Sequence, residues 1–186
     1  CIERLSSDRC IEIINRNGYL EFNVSKPTEN SINKTFSIYA SKQIDNCEII
    51  ILDLNDYEMP IYSEDRQKEL GIPKKGLLFY DVLKNCDGII ISFAEHNGSY
   101  TSAFKNIYDW ISVIGKIVWW NKPMLLLSTS EGDRGAISVL NAAHERFSFD
   151  HKFTIPKFSL PNFSKNFKSN VEITNQEMKK DFLKAV

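Results

Sequence analysis

The sequence predicts an open α/β fold built on a parallel sheet, and two observations carry that expectation. Three runs, residues 49–52, 89–93 and 124–127, are almost wholly apolar, as strands are when helices cover both faces of a sheet. The segments between them repeat apolar residues at helical spacing instead. Strand alternating with helix implies right-handed βαβ units, hence a small doubly wound architecture.

Taken in order, residues 1–18 precede the pattern and fit none of it, so they are set apart as an N-terminal extension to a domain covering 19–186. "YLEFNV" (19–24) supplies the first strand. Asn17-Gly18, lying between "CIEII" and "YLEFNV", is also a hairpin signal; the parallel assignment is preferred. Ile32, Phe36, Tyr39 and Ala40 then mark a helix, and residues 49–52 the second strand. After the third strand, Ala103, Ile107, Trp110 and Ile111 mark another helix. The fourth strand at 124–127 leads into a helix striped by Ala136, Val139, Leu140, Ala143 and Phe147. "HKFTIP" (151–156) is expected to be the last strand. Thr174 and Glu177 stand at capping-box spacing before a stripe of Met178, Phe182 and Ala185.

With 186 residues the chain suits one domain with a single core. Hydrophobic residues make up 42% and charged residues 25%, and the formal net charge is −1, so no electrostatic signature of nucleic-acid or anionic-membrane binding is present. The lysines of residues 165–168 read as a solvated face. The four cysteines, Cys1, Cys10, Cys47 and Cys86, form no Cys-x-x-Cys pair, and three lie in or beside apolar stretches, as small buried thiols do. That composition fits a reducing compartment. With no apolar run of spanning length and no signal-peptide core in "CIERLSSDRC", a cytoplasmic location is the default expectation.

Ligands of open α/β sheets bind beyond the carboxyl ends of the strands, where three loops here are rich in small and polar residues. "SKPTENSIN" (25–33) leads into a helix whose N-terminal amides could hold a phosphate, although Asn30 or Ser31 could serve simply as a cap. "EHNGS" (95–99) contains Asn97-Gly98, which lets backbone approach a flat ligand; its plain alternative is a tight turn capped by Ser99 or Thr101. "STSEGDRGA" (128–136) is the third loop, with two glycines and a charged tip. Catalytic constellations are missing: no Gly-x-Ser-x-Gly, Walker lysine loop or Gly-x-Gly-x-x-Gly occurs. His96, His144 and His151 are scattered, with His144 read as structural, and Asp53, Asp56 and Glu58 lack calcium-loop spacing, so no metal site is expected. Phosphate and ring binding without acid, base or nucleophile points to a cofactor that brings its own chemistry.

"AEHNGSYTSAFKNIYDWIS" (94–112) resembles the flavin-contacting loop and helix of the NADPH-dependent FMN reductase family, whose members include quinone, azo-dye and chromate reductases. Glu95, Asn97, Gly98, Ser99, Lys105, Asn106, Asp109 and Trp110 match the family's Pro-Glu-Tyr-Asn-Gly-Ser and downstream Lys-Asn and Asp-Trp in register. Ala94, His96 and Thr101 stand where the family usually has Pro, Tyr and Pro. The strand that ends in Gly-Ser in the family reads Asn23-Val24-Ser25 here, and the loop after it contains Pro27.

The resemblance implies a five-stranded flavodoxin-like sheet in the order 2-1-3-4-5, with helices on both faces and FMN bound non-covalently. It implies phosphate contacts from Ser25, Thr28, Ser31 and Asn33, the last two matching the family's Ser-x-Asn. It further implies that Glu95, His96, Asn97, Gly98 and Ser99 edge the flavin ring, and that Ser130, Gly132, Arg134 and Gly135 close the other side. The expected activity is hydride transfer from NADPH or NADH through FMN to a quinone or similar small acceptor, in a homodimer or homotetramer, with no catalytic side chain assigned. Two other readings stand beside it: a flavodoxin-like electron carrier, and a relative that has lost its cofactor.

Overall fold

The computed structural model describes residues 19–23, 31–45, 47–149, 151–168 and 171–186, with side chains described from residue 31 onward. The sheet strands are β1 (Tyr19–Asn23), β2 (Ile49–Asp53), β3 (Ile89–Phe93), β4 (Met124–Thr129) and β5 (Lys157–Leu160). The helices are α1 (Ile32–Ser41), α2 (Glu64–Leu70), α3 (Lys74–Asn85), α4 (Ser102–Ile114), α5 (Ile137–Ser148) and α6 (Gln176–Ala185). All strand pairs of this sheet are parallel: β1 lies between β2 and β3, β3 pairs β4, and β4 pairs β5. In the ladder register Leu20 is paired with Ile50 and Ile89, and Leu126 with Ile91 and Lys157. The α/β class with a parallel sheet is as the sequence predicts.

The period-two alternation of a strand sorts its side chains between two cores. Ile89, Ile91 and Phe93 of β3, with Met124 and Leu126 of β4, face a core completed by Phe79, Leu83, Phe104, Ile107, Trp110, Val139, Leu140 and Phe147 from α3, α4 and α5. Ile90, Leu125, Leu127 and Leu160 face the opposite core, completed by Phe36, Tyr39 and Ala40 of α1 and Phe182 of α6. Helices therefore cover both faces of the sheet, which is why β3 and β4 tolerate unbroken apolar runs. At the outer strand, β2, that rule relaxes: Ile51 is 46% exposed, contrary to the uniform burial its apolar run suggests.

Several elements differ from expectation. The last strand is "KFSL", not "HKFTIP": residues 151–156 approach the sheet as an extended connection, and β5 begins only after Pro156, whose carbonyl accepts from Leu126 N. A proline cannot donate to a ladder, so it marks the strand's threshold. The cap of α6 is Asn175, whose Oδ1 accepts from Glu177 N and Met178 N, while Thr174 donates its hydroxyl to Lys165 O. On α4 the buried stripe runs through Phe104 rather than Ala103. Periodicity does not reveal α2, which buries none of its residues, or α3, where exposed Leu77 and Leu78 blur the buried stripe of Gly76, Phe79 and Leu83. Cys86 is buried and Cys47 half-buried, both as free thiols, and burial pushes the Cys86 thiol up to about 11. Residues 1–18, with Cys1, Cys10 and the Asn17-Gly18 hairpin signal, lie outside the described residues. No helix among the described residues is long and apolar enough to cross a membrane.

Phe36 is fully buried, with the rings of Tyr39, Phe158, Phe167 and Phe182 around it at centroid distances of 5.7–6.5 Å. Phe36→Ala is expected to cost about 3–5 kcal/mol of unfolding free energy, read from urea denaturation.

Candidate functional site

At the carboxyl edge of the sheet, the first structural fact is the hairpin formed by Glu95–His96 and Ser99–Tyr100. Asn97 and Gly98 both have positive φ, 52° and 77°, the conformation that a two-residue type I′ turn requires and that Asn-Gly adopts at least cost. A Cβ built on Gly98 would meet nothing within 4 Å, so the turn projects into open space. His96 is exposed beside it. The strand-to-helix step is capped separately: Thr101 Oγ1 accepts from Phe104 N, 3.3 Å, at the start of α4.

Glu95 does not point away from the protein. Its Oε2 accepts a 3.0 Å hydrogen bond from Val139 N, in the first turn of α5. The residue at the cap position of α5, Ala136, is left-handed and offers no side-chain cap. Glu95 therefore caps α5 from a different loop, and its charge suits the positive end of the helix. One carboxylate joins two walls of the edge.

Asn33 performs the same service for α1. Only 4% exposed, it accepts at Oδ1 from Ser92 Oγ (2.9 Å) and Thr129 N (3.2 Å), and donates from Nδ2 to Thr129 O (3.3 Å). Ser31 caps α1, its hydroxyl accepting from Lys34 N at 3.3 Å. In the first turn that leaves the amides of Ile32 and Asn33 beyond the reach of intrahelical bonding. The turn carries no acidic residue, whereas the first turn of α2 carries Glu64 and Asp65. An anion at the start of α1 would meet helix amides, with no acidic side chain on that turn. Lys34 sits nearby, 3.7 Å from Asp53 at the end of β2.

The third loop is pinned from below. Ser130 O and Gly132 O accept from Phe163 N and Asn162 N, both at 3.1 Å, while Glu131 accepts from the amide and hydroxyl of Ser164. Gly135 is buried with φ 57°, and its carbonyl takes hydroxyl bonds from Ser128 (2.7 Å) and Ser159 (2.8 Å). A Cβ there would stand 2.3 Å from Ser159 Oγ and 2.9 Å from Pro161 N. Arg134 is exposed, its Nη2 donating to Ser138 Oγ at 2.6 Å.

The expected residues thus divide. Asn97, Gly98, His96 and Ser99 lie on the open hairpin, and Ser130, Gly132 and Arg134 lie on the facing loop. The side chains of Glu95 and Asn33 are held by protein groups, and Gly135 is enclosed. Ser25 and Thr28 lie outside the described residues, as does the rest of the segment 24–30. The downstream motif residues are also framework: Asn106 accepts from Tyr62 N (2.8 Å) and donates to Met59 O (3.0 Å), and Trp110 Nε1 donates to Pro60 O (2.8 Å). Lys105 pairs with Asp109 one turn on. Ser92, Ser128 and Thr129 are buried hydroxyls closing the carboxyl ends of two apolar strands; sequence reasoning passed over Ser92 and placed Ser128 and Thr129 in the third loop without a role, although their position at the end of each run was the available signal. Tyr100 flanks the hairpin with its phenol pushed up to about 12, by burial first, with Tyr108 adding and Arg146 opposing. Among the described residues no cluster of three metal-ligating side chains occurs. His144 is structural, its Nε2 3.0 Å from Ile155 O.

A parallel α/β sheet whose polar loops after β3 and β4 are fastened beside the start of α1 at the carboxyl edge has the arrangement in which open α/β sheets bind their ligands. The sequence profile of the NADPH-dependent FMN reductase family matches residues 24–165, and the chain belongs to that family. An NADPH azoreductase of Bacillus sp. (strain OY1-2) is 31% identical over 114 residues, covering 61% of each chain. A quinone reductase of Escherichia coli (strain K12) is 31% identical over 75 residues, covering 40% of each. The chain thus matches less than two thirds of the length of these relatives. In structure it resembles FerB, a flavoenzyme NAD(P)H:(acceptor) oxidoreductase from Paracoccus denitrificans, with a TM-score of 0.67, 20% identity, and coverage of 90% of this chain and 91% of that one.

The residues present fit FMN at two points: a first helical turn without acidic residues for a phosphate, and a glycine turn with open space beside it for a flat ring. Two substitutions test the framework. Asn33→Ala removes the acceptor of the buried Thr129 N–H and is expected to lower stability by about 2–3 kcal/mol in urea denaturation. Gly135→Ala is expected to be at least as costly, about 2–4 kcal/mol, because left-handed strain adds to the overlap with Ser159 and Pro161; a drop in Tm measured beside the parent reads it.

Proposed function

We propose that this chain is an FMN-dependent oxidoreductase that takes hydride from NADPH or NADH and delivers it to a quinone or similar small acceptor. The observation that supports this most is the meeting of the start of α1 with the loops after β3 and β4 on one sheet edge, fastened by Asn33 and Glu95 through protein groups that leave the hairpin backbone open. When bound, FMN supplies the redox chemistry, so the protein needs no nucleophile or general base of its own.

In this reading the amides of Ile32 and Asn33, with Ser31 and the segment carrying Ser25 and Thr28, bind the phosphate. The hairpin from Glu95 to Ser99 presents main-chain groups to the ring edge, where a donor N–H favours negative charge as it develops. Glu95 orients that hairpin through α5, and Ser130, Gly132 and Arg134 bound the opposite wall. His96 stands exposed where an arriving substrate ring passes. The sheet is read as the flavodoxin-like order 2-1-3-4-5 in a domain covering 19–186, the protein as a cytoplasmic homodimer or homotetramer, and the partner subunit as completing the pocket. The azoreductase and quinone reductase names of its relatives support an acceptor that is planar and small.

Protein soaked with FMN and desalted is expected to retain a visible flavin band, and that band to bleach when NADPH or NADH is added without oxygen. Adding a quinone should then restore it. Retained flavin that stays oxidised would instead identify an electron carrier, and a folded chain that keeps no flavin would identify a relative without cofactor.

A further inference from the structure

Away from the sheet edge that carries the hairpin, a cavity of about 420 Å³ opens between α4, the C-terminal end of α5 and the connection into β4. That connection enters β4 at its amino end, so the cavity belongs to the other edge of the sheet. Its floor is aromatic: Tyr108 and Trp119 stack at 5.6 Å with 12° between ring planes, and Phe149, 72% exposed, stands at the mouth. Its polar lining is cationic. Lys116 and Arg146 both contribute, neither in an ion pair among the described residues, and no described acidic residue lines it.

Two further features need explaining. His151 lines the same cavity, and its Nδ1 lies 3.2 Å from Phe153 N and 3.1 Å from Phe153 O, so it accepts from the one in the tautomer protonated at Nε2 or donates to the other in the tautomer protonated at Nδ1. That Nε2 is buried with no hydrogen-bond partner among the described residues. A buried polar nitrogen without a partner is rare in native proteins unless something else supplies one, and the tautomer protonated at Nε2 suits an acceptor entering the cavity. The backbone alongside is also unusual: Trp120 and Asn121 both have positive φ, 48° and 53°. Asn tolerates that conformation; Trp does not, and such outliers gather at ligand sites. The Asn121 side chain, at the same turn, accepts from Lys152 N and so ties the connection to the His151 segment.

We propose that this cavity binds an aromatic anion, a flat ring bearing a carboxylate or sulfonate. The ring packs against Tyr108, Trp119 and Phe149, and the acidic group takes hydrogen bonds from His151 Nε2, Arg146 and Lys116. The volume lies within the range of small-molecule sites. This site is separate from the flavin edge and does not rest on the flavin reading.

The test is isothermal titration of the protein with naphthalene-2-sulfonate, with and without FMN, beside the neutral naphthalen-2-ol. One sulfonate per chain is expected, at an affinity that FMN leaves unchanged and that the neutral ring falls short of by about tenfold or more. Arg146→Gln and His151→Phe should each weaken it about tenfold while leaving the thermal melt and flavin retention of the parent; Lys116→Gln gives a second, fully surface variant should His151→Phe fail to fold. Absence of binding, equal binding of the neutral ring, displacement by FMN, or affinity untouched by Arg146→Gln and Lys116→Gln would each overturn the proposal.

Discussion

The edge of this sheet depends on one side chain. Asn33 is an amide with an acceptor end and a donor end, and the fold uses both, joining the start of α1 to the β3 hydroxyl of Ser92 and to both main-chain groups of Thr129. These three segments come from residues far apart in the chain. Without such a tie, the helix start could slide along the sheet, and the amides at its N-terminus would lose their place relative to the loops after β3 and β4. Because the bonds are buried, each is costly to break and the arrangement is rigid.

Glu95 extends the same logic across the crevice. By capping α5, it makes the orientation of the Asn97-Gly98 hairpin depend on a helix that begins some forty residues later. Asn106 and Trp110 do the corresponding work below, holding the connection after β2 against α4 through Met59, Pro60 and Tyr62. The conspicuous polar residues of the motif therefore fasten main chain to main chain. What they leave exposed is the turn itself, and an open turn backed by fixed supports is preorganised for a ligand.

Much of this was legible in the sequence where a residue's signal is local. Asn-Gly between short extended segments specifies a type I′ turn by backbone sterics, and the structure has it. The stripes of α1, α5 and α6 follow from helical periodicity: Phe36, Tyr39, Ala40, Ala136, Val139, Leu140, Ala143, Phe147 and Phe182 are buried, while Ile32, Met178 and Ala185 at the helix ends are only half-buried. Signals failed where burial was not the organising force. α2 is polar except for the exposed Leu70 at its end, and it is set by its Ser63 cap, not by a stripe. In the 151–160 region, alternation suited either of two adjacent segments, and pairing with β4 selected the one after Pro156.

By itself, then, the sequence determined the alternation of apolar strands with amphipathic helices, and it marked the three polar loops, because those properties reside in neighbouring residues. Only the tertiary structure decided what the marked side chains do. Whether Glu95 or Asn33 faces a ligand or a backbone amide depends on which segments arrive beside it, and Gly135 is required because Ser159 and Pro161 close in from a later strand. A hydrogen bond joins two places in the chain, and neither end alone records where the other will be.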